Sequence, residues 1–581
     1  EQAGSKLESK FEESNGREEK VYIIPPSRTR YLSEISELNR NYNRSAAEQT
    51  EVAERLYGIY KTLLTIAGIA EEAGTSSYIN DKGLDEAQLK KDAGKETDIG
   101  LLDRLLQEAA GQENLPTRIN HHHSTLLWER CLRKELDGDV AGTGNLVRLA
   151  RETWQRLADW TVGIRDVARH AQTRDHRMFA AAAGRYAALL EGRNWVDEAG
   201  LASLVEQLLD EGRLRLAGRY TFAGFDRSKP VANRLQQRLR DQGCEVGVPP
   251  PAVPRTPALL AFDNADAELR AAGAWARECI ERVPGQRIAI VVNGLEREAD
   301  RLAGLVREGL LPGYRLCADL PATALNVSFG RKLIAYPAVS TAILWLRWLA
   351  RDLGSTEVCH LLRSPLVGLA PVEGRARLEL RLRGLPDRRW SASMVTGTLR
   401  GKEEASDATD WLDRVAGLTH VRRSMSETAS PAEWAIRFDD ALQAAGWPGA
   451  APLESDDFQL INRWRDLLND LARMDLVSPR MSMEAALNLL ESMAAEAVFQ
   501  PESNVTQVHL LGPLEASGLE FDAVWFAGLT AAEWPPHGNP SALVSRRLQE
   551  KRGMPDAVPA DTVDYARSLL MHVCSAAPEV V

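Results

Sequence analysis

A lysine ahead of a threonine or serine can hold nucleotide phosphates when a glycine-rich loop precedes it. This sequence has a single such lysine, Lys61 before Thr62, with Tyr60 in front of it. Without the glycines of G-x-x-x-x-G-K-[ST], backbone amides cannot close around a triphosphate. Nuclease chemistry of the PD-(D/E)XK kind needs an Asp on one strand and D/E-x-K on the next, so that two carboxylates hold Mg²⁺ beside a lysine. The D/E-x-K matches are Glu8-Ser9-Lys10 and Glu18-Glu19-Lys20, in a polar stretch with no strand ahead of them, and they read as chance. Neither H-E-x-x-H nor G-x-S-x-G occurs.

Other residues carry two readings each. His121-His122-His123 have the donors for a metal, but adjacent histidines leave a backbone in different directions and no carboxylate partner is evident, so a polar helix start is expected. Arg375, Arg377, Arg381, Arg383, Arg388 and Arg389 either line a phosphate track or form a salt-bridged helix surface, since they cover two helix faces and interleave with Leu and Glu379. Arg546, Arg547, Lys551 and Arg552 make a tighter patch, open to DNA contact or to simple solvation. Fourteen tryptophans could stack on bases, yet Trp154, Trp160, Trp345 and Trp348 sit on apolar stripes that belong to a core.

The elements that must position these groups alternate in period. Leu146, Leu149, Ala150, Trp154, Leu157 and Trp160 recur at three-to-four spacing, an amphipathic helix. Residues 214–225 read as extended, 231–240 as a helix opened by Pro230, and 244–248 as a short strand, which together make a β-α-β unit suited to a parallel sheet. A proline run at 249–257 follows as a stiff linker. A helix through Ala267, Ala271, Trp275 and Cys279 then leads to Ile288-Ala289-Ile290-Val291-Val292, too short for a helix and rich in β-branched residues, hence a buried strand. Gly294 turns into the next helix, residues 335–500 are mostly helical, and 505–511 and 523–529 are strand-like.

Composition bounds the class. The chain has 581 residues, about three to four domains' worth. The best membrane candidate, Ala338 to Ala350, is broken by Arg347, and the acidic, polar start is no secretory signal. Six cysteines without a CxxC pair argue against a disulfide framework or zinc ribbon, so a cytoplasmic location is expected. The net charge of −11 obliges any nucleic-acid reading to rest on local features. Residues 1–118 hold eight Lys and eight Arg, whereas 119–581 hold five Lys and fifty Arg, a shift that marks a boundary and a segment of uncertain origin.

The most specific segment is Glu515-Ala516-Ser517-Gly518-Leu519-Glu520-Phe521-Asp522, lying between two strands and followed by Gly528-Leu529 and Trp534-Pro535. It resembles the second motor domain of superfamily I helicases, and most closely that of AddB/RecB-type helicase-nuclease relatives. Gly224-Phe225-Asp226 with Pro230, Asn326-Val327-Ser328-Phe329-Gly330, Leu361-Leu362-Arg363-Ser364-Pro365 and Leu127-Trp128-Glu129 resemble, in the right order, segments of bacterial DNA repair exonucleases with an inactivated helicase region. The likeness covers 119–581 and leaves 1–118 outside it.

The resemblance implies an α/β, multidomain chain with superfamily I helicase-like parallel-sheet lobes and large helical insertions. Its expected divisions are 1–118, a Lys/Glu-rich helical segment; 119–256, helices leading into a degenerate helicase-like lobe; 257–334, the start of a second α/β lobe; 335–500, a helical insertion; and 501–581, the end of that lobe. It implies a DNA repair or recombination scaffold that binds single-stranded DNA or ends through Gly518, Glu520, Arg363, Arg546, Arg547, Lys551 and Arg552. A helicase or nuclease subunit is a further expected partner, and no membrane is. In the full family member a C-terminal exonuclease domain using Mg²⁺ follows; this sequence stops at Val581, before such a domain, and no cofactor is expected for it. In place of the T-R-A-like end of an active motor stands His572-Val573-Cys574-Ser575-Ala576-Ala577, with Arg567 the sole arginine between Tyr565 and Val581, so ATP hydrolysis by this chain is not expected. The rival reading is a protein-interaction module built on a relic of the same fold.

Overall fold

Ile288, Ile290 and Val292 join one hydrophobic core, Ala289 and Val291 join another, and all five are buried. Period two puts alternate side chains on opposite faces, so a strand apolar at every position must be covered on both sides. In the computed structural model this strand, β1 (Ile288–Val292), lies in the middle of a five-stranded sheet. The structure describes residues 115–581 apart from 137–142, 215, 217, 223–228, 248–253, 317–323, 368–370, 387–388, 401–407, 450–452, 454, 501–505 and 518. All of the described elements fall in one compact unit, Glu96–Val581.

The other strands are β2 (Leu325–Val327), β3 (Val508–Leu511), β4 (Ala523–Ala527) and β5 (Glu579–Val580). Their order across the sheet is β5-β4-β1-β3-β2, and every pairing is parallel. Helices Ala265–Arg282 and Leu295–Leu310 cover one face, where Leu269, Ala272 and Val306 meet Ile290, Leu510 and Trp525. Helix Pro559–Ser575 covers the other, where Val573 and Cys574 meet Val291, Val524 and Phe526. The α/β reading therefore holds, with helices on both faces of a parallel sheet.

Between β2 and β3 the chain leaves the sheet for a separate helical body. Helices from Pro337–Ala350 to Met483–Glu496 bury Trp345, Trp390, Trp411, Trp434 and Trp464 in their own core. The departure and the return meet: Val498–Phe499 pairs antiparallel with Arg331–Lys332, so the insertion is closed at its neck.

The described part before the sheet is mostly helical and then turns to one β-α-β unit, as expected. Helices His121–Arg133, Thr143–Asp159, Ile164–Arg169 and Arg174–Arg193 pack around Trp128, Phe179 and Tyr186. A β-α-β unit follows: Arg219–Thr221, helix Pro230–Asp241, and Glu245–Gly247 parallel to the first strand. Within the stretch expected as extended over 214–225, Arg219–Thr221 form a strand, and 215, 217 and 223–225 lie outside the described residues. Among the described residues before the five-stranded sheet, the strand pairings are that of the β-α-β unit and a two-residue pairing of Thr117–Arg118 with Trp195–Val196. No helix among them is long and apolar enough to cross a membrane.

Candidate nucleic-acid interface

Two of the segments singled out in sequence meet on neighbouring strands. Asn326-Val327-Ser328-Phe329-Gly330 runs through β2 and out of its C-terminal end, and the stretch leading to Asp522 begins at β3 beside it. Ser328 Oγ donates to the Glu515 carboxylate, which also accepts from the Gly512 amide at 2.8 Å. Deeper in the pair, Asn326 meets His509 Nδ1 at 3.1 Å and accepts from Gln500 Nε2 at 2.8 Å. Gly330 is required by close approach, because a Cβ there would stand 2.4 Å from the Phe499 carbonyl oxygen.

Gly518 lies outside the described residues. Glu520 is exposed at the other end of the sheet, where the chain is about to enter β4. Its neighbours are structural: Phe521 N donates to Ala576 O at 2.8 Å, and the Asp522 carboxylate accepts from the Arg287 amide at 2.7 Å.

In an open parallel sheet, ligands favour the crevice beyond the C-terminal ends of two strands whose connections diverge. Here that crevice lies between β1 and β4, whose following helices, Leu295–Leu310 and Pro559–Ser575, cover opposite faces. Two protein hydrogen bonds engage donors at its edge. Asn293 Nδ2 donates to Glu533 O at 2.9 Å, and the Gly528 amide donates to Glu268 at 3.1 Å. The turn from β1 into its helix is only Asn293-Gly294, with Gly294 at φ 72°. The Arg567 guanidinium pairs with Asp564 at 2.9 Å on the surface.

A cavity of about 600 Å³ opens in the helical body, lined by Tyr336, Thr341, His360, Arg363, Ser364 and Asp457 among others. Arg363 is half-exposed and only loosely tied to Glu379, at 3.7 Å. Behind it Arg375 is buried and donates to the carbonyls of Leu362, at 3.1 Å, and Ser364. Of the five described arginines of the run, three are tied into the fold as the salt-bridged reading has it, while Arg377 and Arg381 are exposed. Arg375 faces inward, Arg383 pairs with the Glu379 carboxylate at 2.9 Å, Arg389 is tied to Asp352 O, and Arg388 lies outside the described residues.

The second cation patch sits on the short helix Arg546–Lys551, anchored by Leu548 in the N-terminal helical core. Arg546 pairs with Glu550 at 3.4 Å and Arg552 with Asp166 at 2.7 Å. Arg547 and Lys551 are exposed and have no ion-pair partner among the described residues. The two readings thus divide within one patch, half of it paired and half open to a phosphate.

The remaining motif segments resolve into packing. Trp128 is fully buried and stacks on Tyr186 with ring centroids 4.6 Å apart, while Glu129 pairs with Arg133 on the surface. Gly224, Phe225 and Asp226 lie outside the described residues, and Pro230 opens its helix as expected. The D/E-x-K matches at Glu8–Lys10 and Glu18–Lys20 lie outside the described residues too.

The histidine triplet brings a finding that sequence reasoning missed. His123 caps its own helix: Asn120 accepts from the His123 amide at 3.0 Å, and His123 Nδ1 accepts from the Asn120 amide at 3.1 Å. His121, however, meets the Glu496 carboxylate at 2.8 Å, a partner 375 residues away, and Arg151 reaches both ring nitrogens of His121. Burial, helped by His121 next to it, lowers the His122 pKa to about 4. The hydrogen bond from His121 holds the Glu496 carboxyl below the usual carboxylate range. No signal in the sequence marks Glu496 or Arg151, since chain distance hides the encounter.

The chain matches no family model, and no curated protein matches it.

Proposed function

We propose that this chain is a DNA-binding scaffold of helicase-like descent that takes single-stranded or end-containing DNA without ATP chemistry of its own. The observation that carries this reading is the pairing of Leu325–Val327 with Val508–Leu510 on adjacent parallel strands, with Ser328 meeting Glu515 just beyond them, across an insertion that separates the two segments in sequence. Segments that resemble one motor domain in order would, in such a domain, have to share a sheet. At the crevice between β1 and β4 the Asn293 amide and the Gly528 N–H are already engaged by the Glu533 carbonyl and the Glu268 carboxylate, which supports the lack of a nucleotide step because a phosphate would need free donors. The open cations Arg547, Lys551 and Arg363 supply places for strand phosphates. In this reading the strand is handed to a nuclease carried by another domain or subunit.

Filter binding of the full chain to tailed and single-stranded DNA across a salt series tests the proposal. Affinity that falls steeply with salt is expected; no affinity down to low ionic strength would remove it. An ATPase assay with DNA present is expected to read background, and turnover above background would overturn the second half of the claim.

A protein-docking role is favoured by one observation, the exposure of Val372 and Leu380 on helix Val372–Arg383 at 67% and 72%. Pull-down by a helicase or nuclease subunit that is lost on Leu380→Asp, with DNA binding unchanged, would establish that role.

A further inference from the structure

We propose that His121, His122 and Glu496 form a site for one transition-metal ion of the Zn²⁺ class, held in competition with the Arg151 guanidinium. The three side chains offer one ligand atom each, all within 4.8 Å of one another. A tetrahedral ion with ligands at about 2.0–2.2 Å sets them roughly 3.3–3.6 Å apart. Small rotations of His121 and Glu496, whose side chains are 46% and 42% exposed, close that difference. Two imidazoles and a carboxylate suit a borderline ion and not Mg²⁺ or Ca²⁺, which prefer oxygen throughout. The exposure leaves the fourth position to water.

Two features resist a cation, and the structure answers each. His121 and His122 open the helix His121–Arg133, whose N-terminal end carries positive partial charge. Glu496 closes the helix Met483–Glu496, so its carboxylate arrives with the negative end of another helix. Arg151 is the stronger opponent. It donates to His121 Nδ1, which leaves the ring proton on Nε2, facing Glu496 at 2.8 Å. That proton and the guanidinium occupy the ground an ion would take. Yet the guanidinium is held through its two terminal nitrogens on His121, and its buried Nε has no hydrogen-bond partner among the described residues. Withdrawal of this side chain frees His121 and relieves the repulsion. The bound ion would tie the first helix to the end of the insertion, residues 375 apart in the chain, so uptake should raise the thermal midpoint.

The test is calorimetric titration of the chelator-stripped full chain with Zn²⁺, with thermal melts in parallel and Mg²⁺ as the control ion. Expected are one site weakened at least about tenfold by His122→Ala and by Glu496→Gln, and a site strengthened by Arg151→Ala. Zn²⁺ should raise the melting point of the native chain and of Arg151→Ala but not of the other two variants. Glu496→Gln keeps an acceptor for His121, so loss of binding there with an unchanged circular dichroism spectrum is not a folding effect. The same Zn²⁺ affinity in the native, His122→Ala and Glu496→Gln chains, or no binding by Arg151→Ala, overturns the site.

Discussion

Arg375 donates from its buried guanidinium to the Leu362 carbonyl oxygen at 3.1 Å, and a second time to Ser364 O. Those carbonyls belong to the turn that ends helix Ser355–Arg363 and delivers Arg363 and Ser364 to the wall of the cavity. A hydrogen bond from a charged donor to a buried carbonyl contributes about 1.5–3 kcal/mol. Arg375 therefore positions Arg363 without touching whatever binds there.

Substitution separates the two arginines. Arg375→Ala should lower stability by about 1.5–3 kcal/mol in chemical denaturation, since two carbonyls lose their donor. Arg363→Ala should leave stability nearly unchanged, because its pairing with Glu379 is loose and half-exposed. It should instead weaken single-strand binding by about tenfold, the effect of one charged phosphate contact. Equal DNA affinity in the native and Arg363→Ala chains would take the cavity out of the interface.

On the short helix Arg546–Lys551 and just after it, the paired and open cations should behave differently. Removing Arg547 and Lys551 together should reduce the slope of log affinity against log salt by about one per lost phosphate contact. Arg552→Ala should cost less affinity, because its guanidinium is already held by Asp166 at 2.7 Å. A salt series on the three proteins measures both, and an unchanged slope in the double variant would contradict the assignment.

What could be read in advance follows from how local each signal is. Ile288–Val292 was legible to the residue, because a five-residue β-branched run between turn signals has no competing structure. The helix expected through Leu146 to Trp160 is observed as Thr143–Asp159, since its apolar spacing repeats over several turns. Two-residue pairings such as Val498–Phe499 with Arg331–Lys332 have no period to detect. The arginine run stayed open between two readings because charge in a sequence does not say whether a guanidinium faces water or, like Arg375, a pair of carbonyls. The His121–Glu496 contact was out of reach for another reason: it exists only once the insertion has folded back on the first helix.

Gly330 marks the place where the neck of that insertion closes. Its Cβ position lies 2.4 Å from Phe499 O and 2.9 Å from Val498 Cγ1, so no side-chain motion alone can make room. Gly330→Ala should separate the short pairing and cost about 1–3 kcal/mol, as overpacking does. Gly417→Ala is the matched control, because that helical glycine has nothing within 4 Å of its Cβ position. It should stabilise by about 0.5–1 kcal/mol through helix propensity. Denaturant melts that moved both variants alike would show that the neck tolerates an extra carbon.

The last expectation concerns pH and the core of the N-terminal helices. Asp197 is buried and accepts from Trp154 Nε1 at 2.8 Å, Tyr186 Oη at 3.0 Å and the Gly200 amide at 3.0 Å. Burial raises its carboxyl pKa, and the three donors only partly oppose that rise. The folded chain therefore holds this proton at a pH where the unfolded chain has released it. Stability linked to Asp197 is then greatest below the unfolded carboxylate pKa and declines as pH climbs through the folded one. Asp197→Asn keeps an acceptor oxygen but has no proton to exchange. Thermal melts of both proteins from neutrality down toward the ordinary carboxylate range should show the native chain gaining on the variant as pH falls. A constant difference across that range would mean that the Asp197 carboxyl titrates alike in both states, and that Trp154, Tyr186 and Gly200 fully compensate its burial.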